Sequence, residues 1–125
     1  MMGASNRQQK GKEAEQRACD YLQSKGFKLL EKNYHCTYGE IDLIMQDLED
    51  IVFVEVRSRT RKDYGHALES INQAKITKLI KTATHFLQRK NWLDKTNGRF
   101  DIVALHPTDG KMQIQWFKNA FSKDY

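Results

Sequence analysis

The chain has 125 residues and a mass of 14.7 kDa, the usual size of one domain with one hydrophobic core. Its 39% hydrophobic and 30% charged residues are typical of a globular protein. The longest fully apolar run, residues 51–54, is far shorter than the ~20 residues that cross a membrane, and the polar N-terminus does not resemble a signal peptide. We therefore expect a single domain over residues 1–125, with residues 1–8 flexible, in the cytoplasm.

Charge and cysteine content narrow the function classes further. The net charge is +5, and residues 51–100 alone carry 11 basic and 4 acidic residues. Such a segment favours a polyanion such as nucleic acid, with a solvated basic face as an equally weighted alternative. Cys19 and Cys36 form no C-x-x-C pair, which in a reducing compartment predicts free thiols rather than a structural metal site. The four scattered histidines have no zinc-ligand spacing.

The first half of the chain predicts a helix followed by three strands. Small and apolar residues recur at helical spacing over residues 9–24, and Gly26 follows as a C-terminal stop. Residues 27–34, 41–45 and 51–56 alternate in polarity or are rich in β-branched residues, as strands are. The short polar links between them predict an antiparallel meander.

A second helix is predicted after a basic segment. Residues 60–69 are expected to form a mobile loop, and Ser70 can cap a helix whose apolar stripe runs over residues 71–87. Another face of this helix carries polar and basic residues within roughly 80° of arc. These residues are Lys75, Lys78, Thr82, His85 and Arg89.

Two further strands complete the expected fold. Residues 99–106 and 112–117 have strand patterns, and Thr108, Asp109 and Gly110 between them predict a hairpin turn. The element order is therefore α-β-β-β-α-β-β. A helix that crosses from the third strand to the fourth makes neighbouring strands parallel, so we expect an α/β fold with a mixed five-stranded sheet flanked by helices.

Two acidic residues inside apolar strands form the candidate reaction centre. If residues 47–50 form a four-residue hairpin loop, Asp42 faces Glu55, with Cβ atoms ~4.5–5.5 Å apart. Two like charges at that distance are destabilising, and a divalent cation such as Mg²⁺, which prefers carboxylate oxygens, would compensate them. The alternatives are two exposed carboxylates that tolerate each other in water, or one carboxyl group with a raised pKa.

The same register places Glu40 opposite Arg57, on the face that carries the acidic pair. Arg57 is then a structural partner of Glu40, a cation aimed at a scissile phosphate, or both. Because arginine neither donates nor accepts a proton near neutral pH, a catalytic part of Arg57 would be electrostatic: it would hold phosphate and stabilise negative charge.

A longer pattern resembles a known family. It comprises Gly11, Ala14, Glu15, Ala18, Tyr21 and Leu22, then Asn33 and Tyr34, GEIDLI at residues 39–44, FVEVR at residues 53–57, Gly65, Lys75, RFD at residues 99–101 and NAF at residues 119–121. The series spans nearly the whole chain and resembles the uncharacterised bacterial YraN-like family. That family is similar to archaeal Holliday junction resolvases, within the PD-(D/E)XK nuclease superfamily.

The resemblance implies a restriction-endonuclease-like fold and a Mg²⁺ site, with Mn²⁺ as an alternative ion. It implies that Asp42 and Glu55 bind the metal, that the backbone carbonyl of Val56 adds a ligand, and that Glu15 is an accessory acid pointing into the site. Arg57 stands where the superfamily most often has lysine. The candidate nucleic-acid contacts are Arg59, Arg61, Lys62, Gln73, Lys75 and Lys78, of which Gln73 and Lys75 lie where related nucleases place supporting polar residues.

Two function classes remain open. The first is a Mg²⁺-dependent nuclease that acts on DNA, branched DNA included, and the retention of both acids favours it. The second is a non-catalytic nucleic-acid-binding protein that keeps the fold, which the missing lysine favours. An adaptor that binds another protein has no supporting feature in the sequence. DNA is favoured over RNA, and a homodimer would suit cleavage of two strands, by analogy with the superfamily alone.

Overall fold

A computed structural model describes residues 2–58 and 71–121, with side chains from residue 11 onward. The elements in these ranges are α1 (Met2–Ser24), β1 (Lys28–Cys36), β2 (Gly39–Asp47), β3 (Asp50–Ser58), α2 (Gln73–Arg89), β4 (Gly98–Thr108) and β5 (Lys111–Phe121). This is the predicted order. The predicted loop over residues 60–69, the predicted cap Ser70 and the candidate contacts Arg59, Arg61 and Lys62 lie outside the described residues.

The five strands form one mixed sheet in the spatial order β1-β2-β3-β4-β5. Neighbouring strands are antiparallel except β3 and β4, which are parallel because the chain passes through α2 between them. The α/β prediction with a mixed five-stranded sheet is confirmed. The carboxyl end of β3 therefore lies at the same edge of the sheet as the amino end of β2.

Each helix covers one face of the sheet with its own hydrophobic cluster. On one face, Ala18 and Leu22 of α1 pack with Val54 of β3. On the other face, Phe86 of α2 packs with Ile44 and with other strand residues. The two helices thus bury both faces of β2 and β3, which explains why these strands are apolar almost throughout.

The helices differ from the prediction at their starts. Helix α1 begins at Met2, whereas the predicted start is residue 9. The residues before residue 9 have no apolar repeat that would indicate a helix. The N-cap of α2 is Asn72, whose side chain Oδ1 accepts a hydrogen bond from the Lys75 backbone amide at 2.9 Å. Asparagine caps as well as serine does, because its side-chain oxygen satisfies an amide of the first turn.

The predicted pairing of β2 with β3 is confirmed between Leu43 and Asp47, where Leu43 lies opposite Val54 and Gln46 opposite Ile51. The turn is tighter than the expected four residues, because Asp47 and Asp50 also pair and leave two residues between them. Leu48 adopts a positive φ of 57° there. A two-residue connection fits the twist of paired strands better, and it leaves the register unchanged.

A buried ion network ties the β2–β3 turn to the outer strands. Arg99 of β4 contacts Asp47 at 3.2 Å, Asp50 at 3.5 Å and Asp101 at 3.1 Å. Asp101, which is 1% exposed, also accepts a hydrogen bond from Trp116 Nε1 at 2.9 Å. Because each buried charge has several partners, the network holds the sheet together at the end opposite the acidic residues.

No helix among the described residues is long and apolar enough to cross a membrane.

Candidate metal centre

Asp42 lies at an irregular point of β2. Side chains two positions apart on a strand normally share a face, yet Ile41 packs in the α2 cluster and Leu43 in the α1 cluster. Opposite this point, Asn33 of β1 has a positive φ of 51°. The regular alternation of β2 is therefore interrupted at Asp42, which belongs to neither hydrophobic cluster.

The Asp42 carboxylate occupies the space where β2 and β3 separate. Its Oδ2 accepts a hydrogen bond from the backbone amide of Val56 at 2.8 Å, beyond the last paired residues Leu43 and Val54. The pKa of Asp42 is raised to about 7, first by burial and then by the negative charges of Glu55 and Glu15, while the Val56 hydrogen bond and Lys75 act to lower it. Asp42 therefore lies within electrostatic reach of two other carboxylates, Glu55 and Glu15.

Glu55 is the most enclosed of these acids, with 7% of the residue exposed. Its Oε2 lies 3.2 Å from the Arg57 guanidinium and 3.4 Å from the Lys75 ammonium. A charged carboxylate in such a position needs opposite charge close by, and here two cations from different elements supply it. Strand β3 provides Arg57, and the first turn of α2 provides Lys75.

The predicted pair between Glu40 and Arg57 is wrong. Glu40 contacts His35, its neighbour across β1 and β2, at 2.8 Å. Arg57 contacts Glu55 of its own strand. The two strands separate beyond Leu43 and Val54, so extending the regular register to Glu40 and Arg57 is not valid. Arg57 is therefore a partner of the acidic site itself.

The donor set fits a hard divalent cation. Asp42 and Glu55 offer carboxylate oxygens, and Mg²⁺ commonly binds through one or two carboxylates together with water and substrate phosphate oxygens. Among residues 11–58 and 71–121, no group of three or more His, Cys, Asp or Glu side chains is arranged to hold a metal. Binding of Mg²⁺ by Asp42 and Glu55 stays a prediction.

The remaining predicted site residues have different positions. Glu15 of α1 lies close enough to Asp42 to raise the pKa of that carboxyl group, and its part as an accessory acid stays a prediction. The Val56 amide is committed to Asp42, while metal binding by the Val56 carbonyl stays a prediction. Gln73 is exposed at the first position of α2, two residues before Lys75, which contacts Glu55.

The polar stripe of α2 divides into two parts. Lys75 reaches the acidic site, and Lys78 is exposed. Farther along the helix, His85 hydrogen-bonds to the Tyr34 hydroxyl, and Arg89 lies over the Tyr34 ring and contacts Glu31 at 3.8 Å. Only the first part of the stripe is therefore near the acidic residues, while the second part helps to hold α2 on β1.

Sequence reasoning assigned Lys75 to nucleic acid and missed its ion pair with Glu55. The signal available was position: Lys75 lies in the first turn of a helix that follows β3 across the sheet, so its side chain can return to the end of that strand. Spacing along the sequence does not reveal which strand residue a helical lysine will contact.

Comparison with known proteins places this chain among bacterial relatives. It is 45% identical to a UPF0102 protein of Nitrosococcus oceani over 96% of this chain and 97% of the relative. It is 47% identical to a UPF0102 protein of Legionella pneumophila, over 91% and 95% of the two chains, and 42% identical to one of Vibrio parahaemolyticus, over 98% and 99%. Residues 14–105, which contain the whole acidic site, match the model of the uncharacterised protein family UPF0102, and the chain belongs to that family.

Proposed function

We propose that the protein is a Mg²⁺-dependent nuclease that acts on DNA, branched DNA included. The observation that carries this proposal is that Asp42 and Glu55 lie together at one end of the sheet, with two cations on Glu55 and Glu15 near enough to act on the charge of Asp42. A pKa of about 7 for Asp42 marks a carboxylate placed where its charge is costly. Strongly perturbed acids with specific charged partners are typical of functional sites.

The residues have separate parts in the proposed reaction. Bound Mg²⁺ would neutralise the phosphate and favour hydroxide over water at neutral pH. Asp42 and Glu55 would hold it, and Glu15 would orient the attacking water through its carboxylate. Arg57 and Lys75, which both contact Glu55, would shift toward the phosphate and stabilise the charge that develops on its oxygens. Lysine and arginine differ here, since only the guanidinium binds two phosphate oxygens side by side.

The charge distribution supports nucleic acid as the substrate. Residues 51–100 have 11 basic and 4 acidic residues, and this segment includes both cations of the site as well as the exposed Lys78. Lysine side chains beside a metal site can position a phosphate backbone without reading its sequence. From the likeness to resolvases we infer that the substrate is DNA rather than RNA. We also infer a homodimer whose two sites act on two strands, and a cytoplasmic location.

The alternative is a protein that binds nucleic acid with this site and does not cleave it. Arg57 favours that alternative, because the superfamily position most often carries lysine. Lys75 weakens it, because a lysine ammonium is present beside Glu55 after all, supplied by α2 rather than by β3.

Cleavage assays with Mg²⁺ or Mn²⁺ on duplex, single-stranded and four-way-junction DNA test the proposal. We expect metal-dependent cleavage of at least one of these DNAs by the parent protein and its loss in Glu55→Gln. Glu49→Gln, which removes an exposed acid from the β2–β3 turn, is the matched control and should cleave normally. Metal-independent cleavage, or equal cleavage by parent and Glu55→Gln, would reject the site. Binding of DNA by the parent without any cleavage would establish the alternative.

A further inference from the structure

Tyr38 is an exposed aromatic residue at the tip of the β1–β2 hairpin, between Cys36 at the end of β1 and Gly39 at the start of β2. Its exposed fraction is 49%, which is large for an aromatic side chain. The ring lies 6.3 Å from the His85 ring at 66° between the planes. The contact with His85 is edge to face, and about half of Tyr38 remains exposed.

The hairpin tip is held firmly against α2. Gly39 has a φ of 150°, and a Cβ atom built on it would lie 3.3 Å from the Thr82 hydroxyl oxygen. A glycine therefore allows the hairpin backbone to approach the helix more closely than a residue with a side chain would. The Thr82 hydroxyl in turn donates to the Lys78 carbonyl at 2.7 Å. Tyr38 is thus displayed on a fixed support rather than at the end of a free loop.

Lysine residues of α2 lie both beside this support and at the acidic site. The Lys78 Cβ lies 3.9 Å from the position that a Cβ atom on Gly39 would take. Lys75, about one helical turn earlier, contacts Glu55. Tyr38 precedes Asp42 by four positions, a span of at most about 13 Å along an extended strand, or about four stacked nucleotides of one DNA strand. One DNA strand can therefore reach both features.

We propose that Tyr38 stacks an unpaired base of the DNA substrate while Lys78 and Lys75 contact the phosphates that lead to the metal centre. This inference rests on the proposed nuclease function and specifies its substrate class: DNA with unpaired nucleotides within a few positions of the scissile phosphate, as at overhangs and branches. The bases inside a continuous duplex already have both faces stacked, so an exposed aromatic face gains little from them. An unpaired base offers a free face that any aromatic ring can stack on.

The test compares a short blunt duplex with the same duplex extended by a short overhang that contains 2-aminopurine. Binding of both DNAs is measured by fluorescence anisotropy without divalent cations, and stacking is measured by quenching of 2-aminopurine. We expect Tyr38→Ala to weaken binding of the overhang DNA roughly tenfold or more and to abolish the quenching, with blunt-duplex binding unchanged. Tyr38→Phe should behave as the parent does, because it keeps the ring.

Leu48→Ala is the matched control, since Leu48 is 88% exposed at the other hairpin tip, at the far end of β2. It should bind both DNAs as the parent does. An equal effect of Tyr38→Ala on both DNAs, or no effect on either, would overturn the stacking role. If the parent still cleaves DNA with Mg²⁺ in that case, the nuclease proposal stands without it. Failure of the parent to bind either DNA would also overturn the stacking role, and the cleavage assay with Mg²⁺ would then decide the nuclease proposal by itself.

Discussion

The backbone amide of Val56 donates to Asp42 Oδ2 at 2.8 Å, so the carboxylate takes a position between β2 and β3 where the strands no longer pair with each other. This contact places Asp42 beside Glu55 and fixes its direction. It also stabilises the charged form of Asp42 and lowers its pKa, but burial and the charge of Glu55 raise the pKa more. Proton binding and metal binding are therefore expected to compete at this carboxyl group.

Asp42→Asn should weaken Mg²⁺ binding and yet stabilise the protein when Mg²⁺ is absent. The Asn side-chain oxygen can still accept from Val56, while the costly negative charge is removed. A rise in the Asp42 pKa from 3.8 to about 7 corresponds to about 4 kcal/mol at most at a pH above 7. Calorimetric unfolding with and without Mg²⁺ measures both effects. Glu49→Gln is the control, and equal Mg²⁺ affinity in Asp42→Asn and parent would contradict the assigned site.

The raised pKa of Asp42 also predicts a pH dependence with a definite sign. Between pH 4 and pH 7 the folded protein holds a proton on Asp42 that the unfolded chain releases, because the pKa rises from 3.8 to about 7 on folding. The contribution of Asp42 to stability therefore decreases as the pH rises through this window and is constant above it. Urea unfolding at a series of pH values, without Mg²⁺, should show this decrease in the parent and not in Asp42→Asn.

The Mg²⁺ affinity should change with pH in the opposite direction. Below pH 7 the metal must displace the Asp42 proton, so affinity should rise up to about tenfold per pH unit and level off above pH 7. Isothermal titration calorimetry in buffers of different ionisation enthalpy would count the protons released. An affinity independent of pH from 5 to 8 would show that Asp42 is not a ligand.

Arg57→Ala should affect both folding and cleavage. The side chains of Arg57 and Glu55 are 20% and 9% exposed, so their ion pair is more enclosed than a surface pair. Because Lys75 still neutralises Glu55, we expect a loss of about 1–3 kcal/mol rather than the larger cost of an unpaired buried charge. The cleavage rate should fall about 10² to 10³-fold, as on removal of one preorganised charge-stabilising donor.

Arg57→Lys separates these two effects. It keeps a cation beside Glu55 and introduces the lysine that is usual in the nucleases the sequence resembles, so on the proposed function cleavage should be kept or raised. Single-turnover rates and unfolding curves of the parent, Arg57→Ala and Arg57→Lys decide the outcome. Should the parent and Arg57→Lys both bind DNA with Mg²⁺ and cleave none of the tested structures, the non-catalytic reading becomes the better one.

The two lysines at the start of α2 should determine part of the salt dependence of DNA binding. Replacing Lys75 and Lys78 together with alanine should flatten the slope of log K against log salt by about two units, if each contacts one phosphate. Lys25→Ala with Lys28→Ala removes the same charge from exposed residues near the end of α1 and should leave the slope nearly unchanged. Equal slopes for the parent and the Lys75 and Lys78 variant would assign these lysines to solvated surface.

Local patterns were sufficient to predict the element order and the register of the central hairpin. Alternating residues in β2 and β3 had to face the two hydrophobic layers, and a shift by one residue would have exposed them. The position of Asp42 opposite Glu55 followed from this register only approximately. The actual arrangement depends on the interrupted alternation at Asp42 and on the left-handed conformation of Asn33, which no strand pattern reveals.

The contacts that sequence reasoning missed are those between distant elements. Lys75 and Glu55 are brought together by the crossover of α2, and Asp101 joins Arg99 to Trp116 of the next strand. Glu40 was assigned to Arg57 because a regular ladder was extended past the point where the strands separate. The actual partner of Glu40 is His35, which lies opposite it on the neighbouring strand β1. Such choices are decided by tertiary packing rather than by local propensity.

The parallel pairing of β3 with β4 has a consequence for how the protein folds. The β1–β2–β3 meander can form from contacts close in sequence, but β3 finds β4 only after the long connection that contains α2 has closed, at a considerable cost in chain entropy. We therefore expect Asp42 and Glu55, which lie in the meander, to take their positions before Lys75, which lies in the crossover helix. During synthesis on the ribosome, Asp42 and Glu55 are therefore present before Lys75. We expect the ion pair between Lys75 and Glu55 to form only when α2 has packed on the sheet.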